Sequence, residues 1–485
     1  MVSLVKKYSA TQFLWLCLIL LVVVRCVSMG WYPLMDSTEA RYADVARRMV
    51  EKSDWITLWF TDSDPFWGKP PFSFWLSALS FKVLGETEFA ARLPHFLSSL
   101  AVVALAMFQV RARGSRWILH VAALLFGALL FMVSSAAVIT DMSLTLGTSL
   151  VMIGVWQILN TWNNSRASIA WHWVMGLGWV IGFLAKGPLV LVVCGAPIVL
   201  WAIYQQRVVE VWQRIAWFKG IAGVLLFTLP WYIWAEIKTP GFLNYFIVGE
   251  HFQRFVDTAW AGDKYGVAHA EPRGEIWLDA LIATLPWPIL LPLLAVWMRW
   301  KKNALNPSIP NMAKGEYAYW LFWGLWPCVF FTFSGNILWT YVLPGLPALA
   351  IVLAAWTTRF KSSAVEWTLS LGLLATLAGL LIYVDQCRGS EYAYRKVAIS
   401  VVTDYQKRAQ NAEPLYFHGD VPFSASYYTK GQAKVFQDWS ELPDRAYIVL
   451  DQPNPESWPE DVRQHASYVS SHGERQLFLW QKPNH

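Results

Sequence analysis

Residues 11–50 read TQFLWLCLILLVVVRCVSMGWYPLMDSTEARYADVARRMV and join two unlike stretches. Residues 11–30 carry a single charge, Arg25, and as a helix they are long enough to cross a hydrocarbon core of about 30 Å. Residues 35–50 are charged and still helical in pattern. Tyr42, Val45, Ala46, Met49 and Val50 recur on one face, and Arg41, Asp44, Arg47, Arg48 and Glu51 on the other. That pairing predicts a retained membrane span followed by an amphipathic helix lying at the bilayer surface.

The rest of the chain follows the first span. Of 485 residues 56% are hydrophobic and 15% charged, where a soluble domain carries about a quarter charged residues. The 31 tryptophans and 19 tyrosines suit a protein with many membrane–water boundaries. We read eleven apolar runs of spanning length, near residues 11–30, 92–110, 117–138, 142–160, 169–185, 188–205, 215–235, 276–298, 317–333, 340–357 and 364–384. The basic residues fall between alternate runs, at Lys6 and Lys7, Arg111–Arg116, Arg166, Arg207 and Arg214, Arg299–Lys302, and Arg359 and Lys361. By the positive-inside rule the N-terminus is then cytoplasmic. Residues 31–91, Asp141, Lys186, 236–275, 334–339 and everything beyond about 386 lie outside. The net charge of +6 is dispersed in these loops, which argues against nucleic acid as a partner. The five cysteines show neither a disulfide framework nor zinc spacing.

The predicted fold is an all-α polytopic membrane domain over 1–385, with interfacial helices in the first outer loop (31–91), and a small soluble extracytoplasmic α/β domain over 386–485. The second interfacial helix is expected over 70–84, opening on prolines and stopping at Gly85. Short β-type runs at 445–450 and 476–480 mark the C-terminal domain.

Several charged residues fall at the outer ends of spans. Asp36 and Glu39 fit the first turn of the amphipathic helix as an N-cap and its capping-box partner, or one of them faces a substrate. Lys69 stands in WGKPP (67–71), between a permissive glycine and two rigid prolines. Lys186 in LAKGP (184–188) lies between two apolar spans, where a lone ammonium is costly unless paired or functional. Asp141 stands alone in a long uncharged stretch and also fits a cap. Glu250, His251 and Arg254 share EHFQR (250–254), with His251 and Arg254 at i, i+3 on one face. This segment alone is weak evidence for a metal.

Together these segments resemble the GT-C membrane glycosyltransferases, in particular the bacterial protein-mannosyltransferase-like group that includes the aminoarabinose transferases of lipid A. The resemblance runs through TEARYA (38–43), DW (54–55), KPP (69–71), AARLP (90–94), TDM (140–142), AKG (185–187) and EHFQRF (250–255). It implies transfer of a sugar from a polyprenyl (undecaprenyl) phosphate to a glycolipid such as lipid A, or to a protein acceptor, outside the bacterial inner membrane. It further implies Lys69 and Lys186, with Arg41 and Tyr42, as donor-phosphate ligands, and Glu39, Asp141 and Asp36 as reaction-centre carboxylates. His251, Arg254 and Glu250 become auxiliary or acceptor residues, and a divalent metal at His251 is one option. Two departures stand out. Thr38-Glu39 replaces the Asp-Glu of the aminoarabinose enzymes, which puts the main weight on Glu39. Gly68 replaces the acidic residue before their Lys-Pro, which weakens the metal. A lipid-linked-sugar transporter or flippase is the competing reading, but it calls for mid-span charges and repeated halves.

Overall fold

The computed structural model describes residues 9–161, 165–258, 260–266, 269–300, 312–389, 391–409, 413–451, 458 and 460–482. Among them, seven helices are long and apolar enough to cross a membrane: Ala10–Ser28, Glu88–Arg113, Thr140–Asn160, Arg166–Lys186, Trp217–Lys238, Trp339–Thr357 and Ala364–Gly389. The pair Ile276–Ala283 and Trp287–Arg299 forms one further run, bent by 71° where Pro286 interrupts the backbone ladder. Phe72–Leu84, Ser115–Phe126 and Leu189–Tyr204 are shorter apolar helices, and Lys314–Phe331 fills the expected run near 317–333. The protein is a multi-pass membrane protein. Lys6, Lys7, Lys301 and Lys302 of the expected basic clusters lie outside the described residues.

The run at 117–138 is not one span. It divides into Ser115–Phe126 and Leu129–Ser134. Remote partners satisfy the backbone at the break: Leu129 N–H donates to Leu285 O at 2.9 Å, and the Trp287 indole donates to Leu124 O at 2.7 Å.

Thr140–Asn160 and Arg166–Lys186 pack as an antiparallel hairpin. A Cβ on Gly147 would lie 2.8 Å from Gly182 N and 2.9 Å from Gly178 O, so only glycine permits this approach. Inside a bilayer such close packing, rather than hydrophobic burial, holds helices together. Because the helices are antiparallel, the first turn of one and the last turn of the other meet at one end.

The described chain forms two compact units, residues 1–27, 66–76 and 92–380 in the first and 28–65, 77–91 and 381–485 in the second. The second contains a mixed five-stranded sheet of β1 (Leu415–His418), β2 (Lys434–Phe436), β3 (Arg445–Asp451), β4 (Ala466–His472) and β5 (Arg475–Gln481), ordered β2-β1-β3-β5-β4. β1 pairs in parallel with β2 and β3, and β5 runs antiparallel between β3 and β4. Alternate residues of β3 feed two cores: Tyr447 and Val449 meet Val401, Phe417 and Leu477 on one face, while Ile448 and Leu450 meet Phe436, Phe478 and Trp480 on the other.

The helix Thr38–Glu51 belongs to this second unit, and the middle of its charged face is not solvated as its periodicity suggests, although Glu51 is exposed. Asp44, Arg47 and Arg48 are 4%, 2% and 4% exposed. Arg47 Nε donates to Asp44 Oδ1 at 2.8 Å and its Nη1 to Glu51 at 2.7 Å, while Arg48 Nε reaches Asp44 Oδ2 at 3.1 Å. Burial alone would lower the Arg47 pKa, but the adjacent Asp44 and Glu51 raise it above its ordinary value.

Candidate active site

The hairpin in the first unit brings Asp141 and Lys186 together. Asp141 lies in the first turn of its helix and Lys186 in the last turn of the other, so each charge complements the local end of a helix dipole. Lys186 Nζ donates to Asp141 Oδ1 at 2.7 Å, with side chains 8% and 12% exposed. The ammonium also lies 5.2 Å from the centroid of the Tyr341 ring, a cation–π contact. Gly187 then turns the chain at φ +64°, and a Cβ there would stand 2.7 Å from the Phe246 ring.

The segment Asn244–Gln253 is wound as a π-helix, and this sends neighbouring side chains to different partners. His251 and Arg254 do not act as the expected pair on one face. His251 Nε2 stands 2.9 Å from Lys186 O and Nδ1 2.7 Å from Phe246 O. Burial holds the His251 imidazole below its usual range, although both carbonyls oppose the shift. With a carbonyl against each ring nitrogen, His251 has no lone pair aimed at a cation. Gly68 supplies no carboxylate, and among the described residues no three His, Cys, Asp or Glu side chains converge as a ligand set. These residues do not fit a metal site.

Glu250 instead faces Lys69 and Arg254. Lys69 Nζ donates to Glu250 Oε2 at 2.8 Å and to Gly68 O at 2.6 Å; Arg254 Nη1 donates to the two Glu250 oxygens at 3.0 and 3.2 Å and lies 3.4 Å from Asp263. Burial alone would raise the Glu250 pKa, but Lys69 and then Arg254 outweigh it and hold the carboxyl at about 2. Desolvation would weaken the Arg254 charge, yet Glu250 and Asp263 keep it above its ordinary value. Asn336 Nδ2 fixes the end of the segment by donating to Arg254 O at 2.5 Å and Asp257 O at 2.8 Å. Asn336, Tyr341 and Asp263 are additions that the sequence reading missed. The polar SGN (334–336) between two apolar runs was the available signal for the first of them.

The first unit thus gathers Lys69, Asp141, Lys186, Glu250, His251 and Arg254. The remaining four candidates are grouped in the second. Asp36 does not cap the helix: Ser37 holds the N-cap position without a side-chain cap bond. The Asp36 carboxylate accepts from the Ser424 N–H at 2.8 Å and from the Ser424 hydroxyl, and burial pushes its pKa up against these hydrogen bonds. Glu39, 8% exposed, accepts from the Met35 N–H at 3.3 Å. The Arg41 guanidinium stands 5.2 Å from the Tyr42 ring and 5.3 Å from the Phe423 ring.

Residues 7–246 match the family model described as dolichyl-phosphate-mannose-protein mannosyltransferase. The chain is similar to this family over just under half of its length. It is 31% identical over 333 residues to the undecaprenyl phosphate-alpha-4-amino-4-deoxy-L-arabinose arabinosyl transferase of Aeromonas salmonicida (strain A449), covering 67% of this chain and 56% of that protein. It is 30% identical over 337 residues to the protein of the same name from Yersinia pestis (strain Pestoides F), covering 68% and 55%. The chain therefore spans little more than half the length of these relatives. The crystal structure of ArnT from Cupriavidus metallidurans bound to undecaprenyl phosphate superposes with a TM-score of 0.78 at 17% identity, over 98% of this chain and 100% of that one. The two proteins share a fold, the expected helical membrane body with a small C-terminal sheet domain.

Proposed function

We propose that the protein is a polyprenyl-phosphate-sugar-dependent glycosyltransferase, moving a sugar from undecaprenyl phosphate to a lipid A-like or other cell-envelope acceptor. The reaction would occur at the extracytoplasmic face of the bacterial inner membrane, with the N-terminus cytoplasmic and residues 386–485 forming an outer domain. The observation that carries this reading is the set of cations fixed at one end of the hairpin. Lys186 is held on Asp141, while Lys69 and Arg254 are held on Glu250.

In the proposed reaction the acceptor oxygen attacks the anomeric carbon, the carbon–oxygen bond to phosphate breaks, and its electron pair stays on the leaving phosphate. Lys69 and Lys186, with Arg41 and Tyr42, would stabilise that growing charge, an effect stronger in the transition state than in the ground state. Glu39 and Asp141 would serve an acceptor hydroxyl as general base, or steady the oxocarbenium-like sugar when the acceptor is an already ionised phosphate. His251 would position Lys186 by its contact with the Lys186 carbonyl.

The test is reconstitution in proteoliposomes with undecaprenyl-phosphate aminoarabinose, offering lipid A, other glycolipids and protein as acceptors. Transfer is expected, falling about 10²-fold or more in Lys69→Ala and in Glu39→Gln. Undiminished turnover in both variants would remove the site assignment. Movement of the donor across the bilayer without transfer would replace the enzyme reading with a transporter.

A further inference from the structure

Asp36 is the acidic residue nearest to Glu39 in sequence, yet its two oxygens are turned toward the C-terminal part of the second unit. Oδ1 accepts from the Ser424 backbone N–H at 2.8 Å and Oδ2 from the Ser424 hydroxyl. The Asp36 N–H donates to Lys396 O at 3.2 Å, and Ser424 Oγ in turn accepts from Ala398 N–H at 2.9 Å. Ser424 is fully buried, so this junction exchanges no bonds with water at its centre.

Two more hydroxyls of the same short helix, Phe423–Tyr428, reach the first loop. Ser426 Oγ donates to Asp44 Oδ2 at 2.8 Å and accepts from Arg48 Nη2 at 3.3 Å. Tyr428 accepts from the Leu34 N–H at 2.9 Å and donates to Glu88 at 2.9 Å. Attachments at residues 34, 36 and 44 bracket Glu39 on both sides.

A helix of this length is marginal by itself and takes its position from what it packs against. We infer that Ser424, Ser426 and Tyr428 are positioning residues: through Asp36, Asp44 and Leu34 they hold the helix that carries Glu39, and Asp36 serves as their anchor rather than as a reacting carboxylate. The C-terminal sheet domain then acts on the chemistry by orienting the first loop. The identity of the positioned group rests on the proposed transferase reading; the tether does not.

Amide hydrogen exchange on the full-length protein in nanodiscs separates the two. Ser424→Ala and Tyr428→Phe should each speed exchange of the amides over 34–44 by roughly 3- to 10-fold, the loss of one or two hydrogen bonds. Tyr428→Phe keeps the ring packing, so it reads the hydroxyl even where Ser424→Ala perturbs folding more widely. In the transfer assay both should lower kcat by a similar factor with the donor KM unchanged. Asp36→Asn, which keeps one acceptor oxygen, should stay within about tenfold of wild type while Glu39→Gln loses turnover. Unchanged protection in both hydroxyl variants overturns the tether. Asp36→Asn as inactive as Glu39→Gln, with protection intact, overturns the role given to Asp36. If the wild-type protein transfers no sugar, the exchange data still decide the tether, and only the transferase reading falls.

Discussion

Replacing Glu250 by Gln should destabilise the protein and flatten its response to acid. The carboxylate is 4% exposed and receives Lys69 and Arg254 together. A carboxyl held at about 2 against an ordinary 4.5 stabilises the folded state by about 3 kcal/mol at neutral pH. Breaking a buried ion pair by removing one partner costs roughly 3–5 kcal/mol, which gives the same scale by an independent route. Since Gln retains a carbonyl acceptor, the expected loss is about 2–3 kcal/mol. The sign of the pH effect follows from the depressed folded-state pKa. Between the two pKa values the unfolded chain binds the extra proton, so this stabilisation is present above about pH 4.5 and is lost as pH falls toward 2. About 2 kcal/mol should be gone by pH 3. Equilibrium unfolding in mixed detergent micelles, for both proteins from pH 7 to pH 3, measures the difference. A gap under about 0.5 kcal/mol at pH 7, or an unchanged gap at pH 3, would refute the reasoning.

Lys186→Met alone should cost about 3–5 kcal/mol because it leaves Asp141 buried and unpaired, whereas Asp141→Leu with Lys186→Met should recover most of that stability in the same unfolding assay and remain inactive. Equal stability of the single and double variants would contradict this coupling. Gly187→Ala places a side chain at φ +64° and against the Phe246 ring; a loss of about 2 kcal/mol is expected, and wild-type stability would show that the turn tolerates the change. Gly178→Val should separate the hairpin, since a Cβ at Gly178 would lie 2.7 Å from Gly147 O; the prediction is about 1–3 kcal/mol of instability with a larger fractional loss of transfer, and full transfer activity would refute it.

The membrane helices were legible because crossing about 30 Å requires some twenty apolar residues in a row, and little else produces such a run. The break between Phe126 and Leu129 was not, because Leu285 and Trp287, which satisfy it, come from far along the chain. Periodicity revealed the two faces of Thr38–Glu51, but not that Asp44, Arg47 and Arg48 on the charged one are buried, where Asp44 meets Ser426, 382 positions away. In the site, Asp141 and Lys186 stood out as isolated charges in apolar surroundings, and hairpin geometry then required them to meet. The separation of His251 from Arg254 had no comparable signal. It depends on π-winding over Asn244–Gln253, which the ordinary helical spacing assumed for these residues misstates.

The charge balance of the first-unit cluster bears on how it would handle phosphate. Lys69, Lys186 and Arg254 are three cations, and Asp141, Glu250 and Asp263 three anions, so the network is formally neutral. Neutrality is what makes so many charges tolerable in a partly desolvated place. Under the proposed reading, a phosphate that binds Lys69, Lys186 or Arg254 must therefore take that cation from a carboxylate. A sugar-linked phosphodiester with one negative charge competes poorly with Asp141 and Glu250. A leaving polyprenyl phosphate, with its second charge, would compete well, so the exchange would become favourable as the glycosidic bond breaks, which is the differential binding that lowers a barrier. Each lysine that turned to the phosphate would also free its carboxylate, and for Asp141 that release would coincide with the need for a negative group near the electron-poor sugar. The same carboxylates would then compete for the lysines after reaction and so limit how tightly the cluster retained its product.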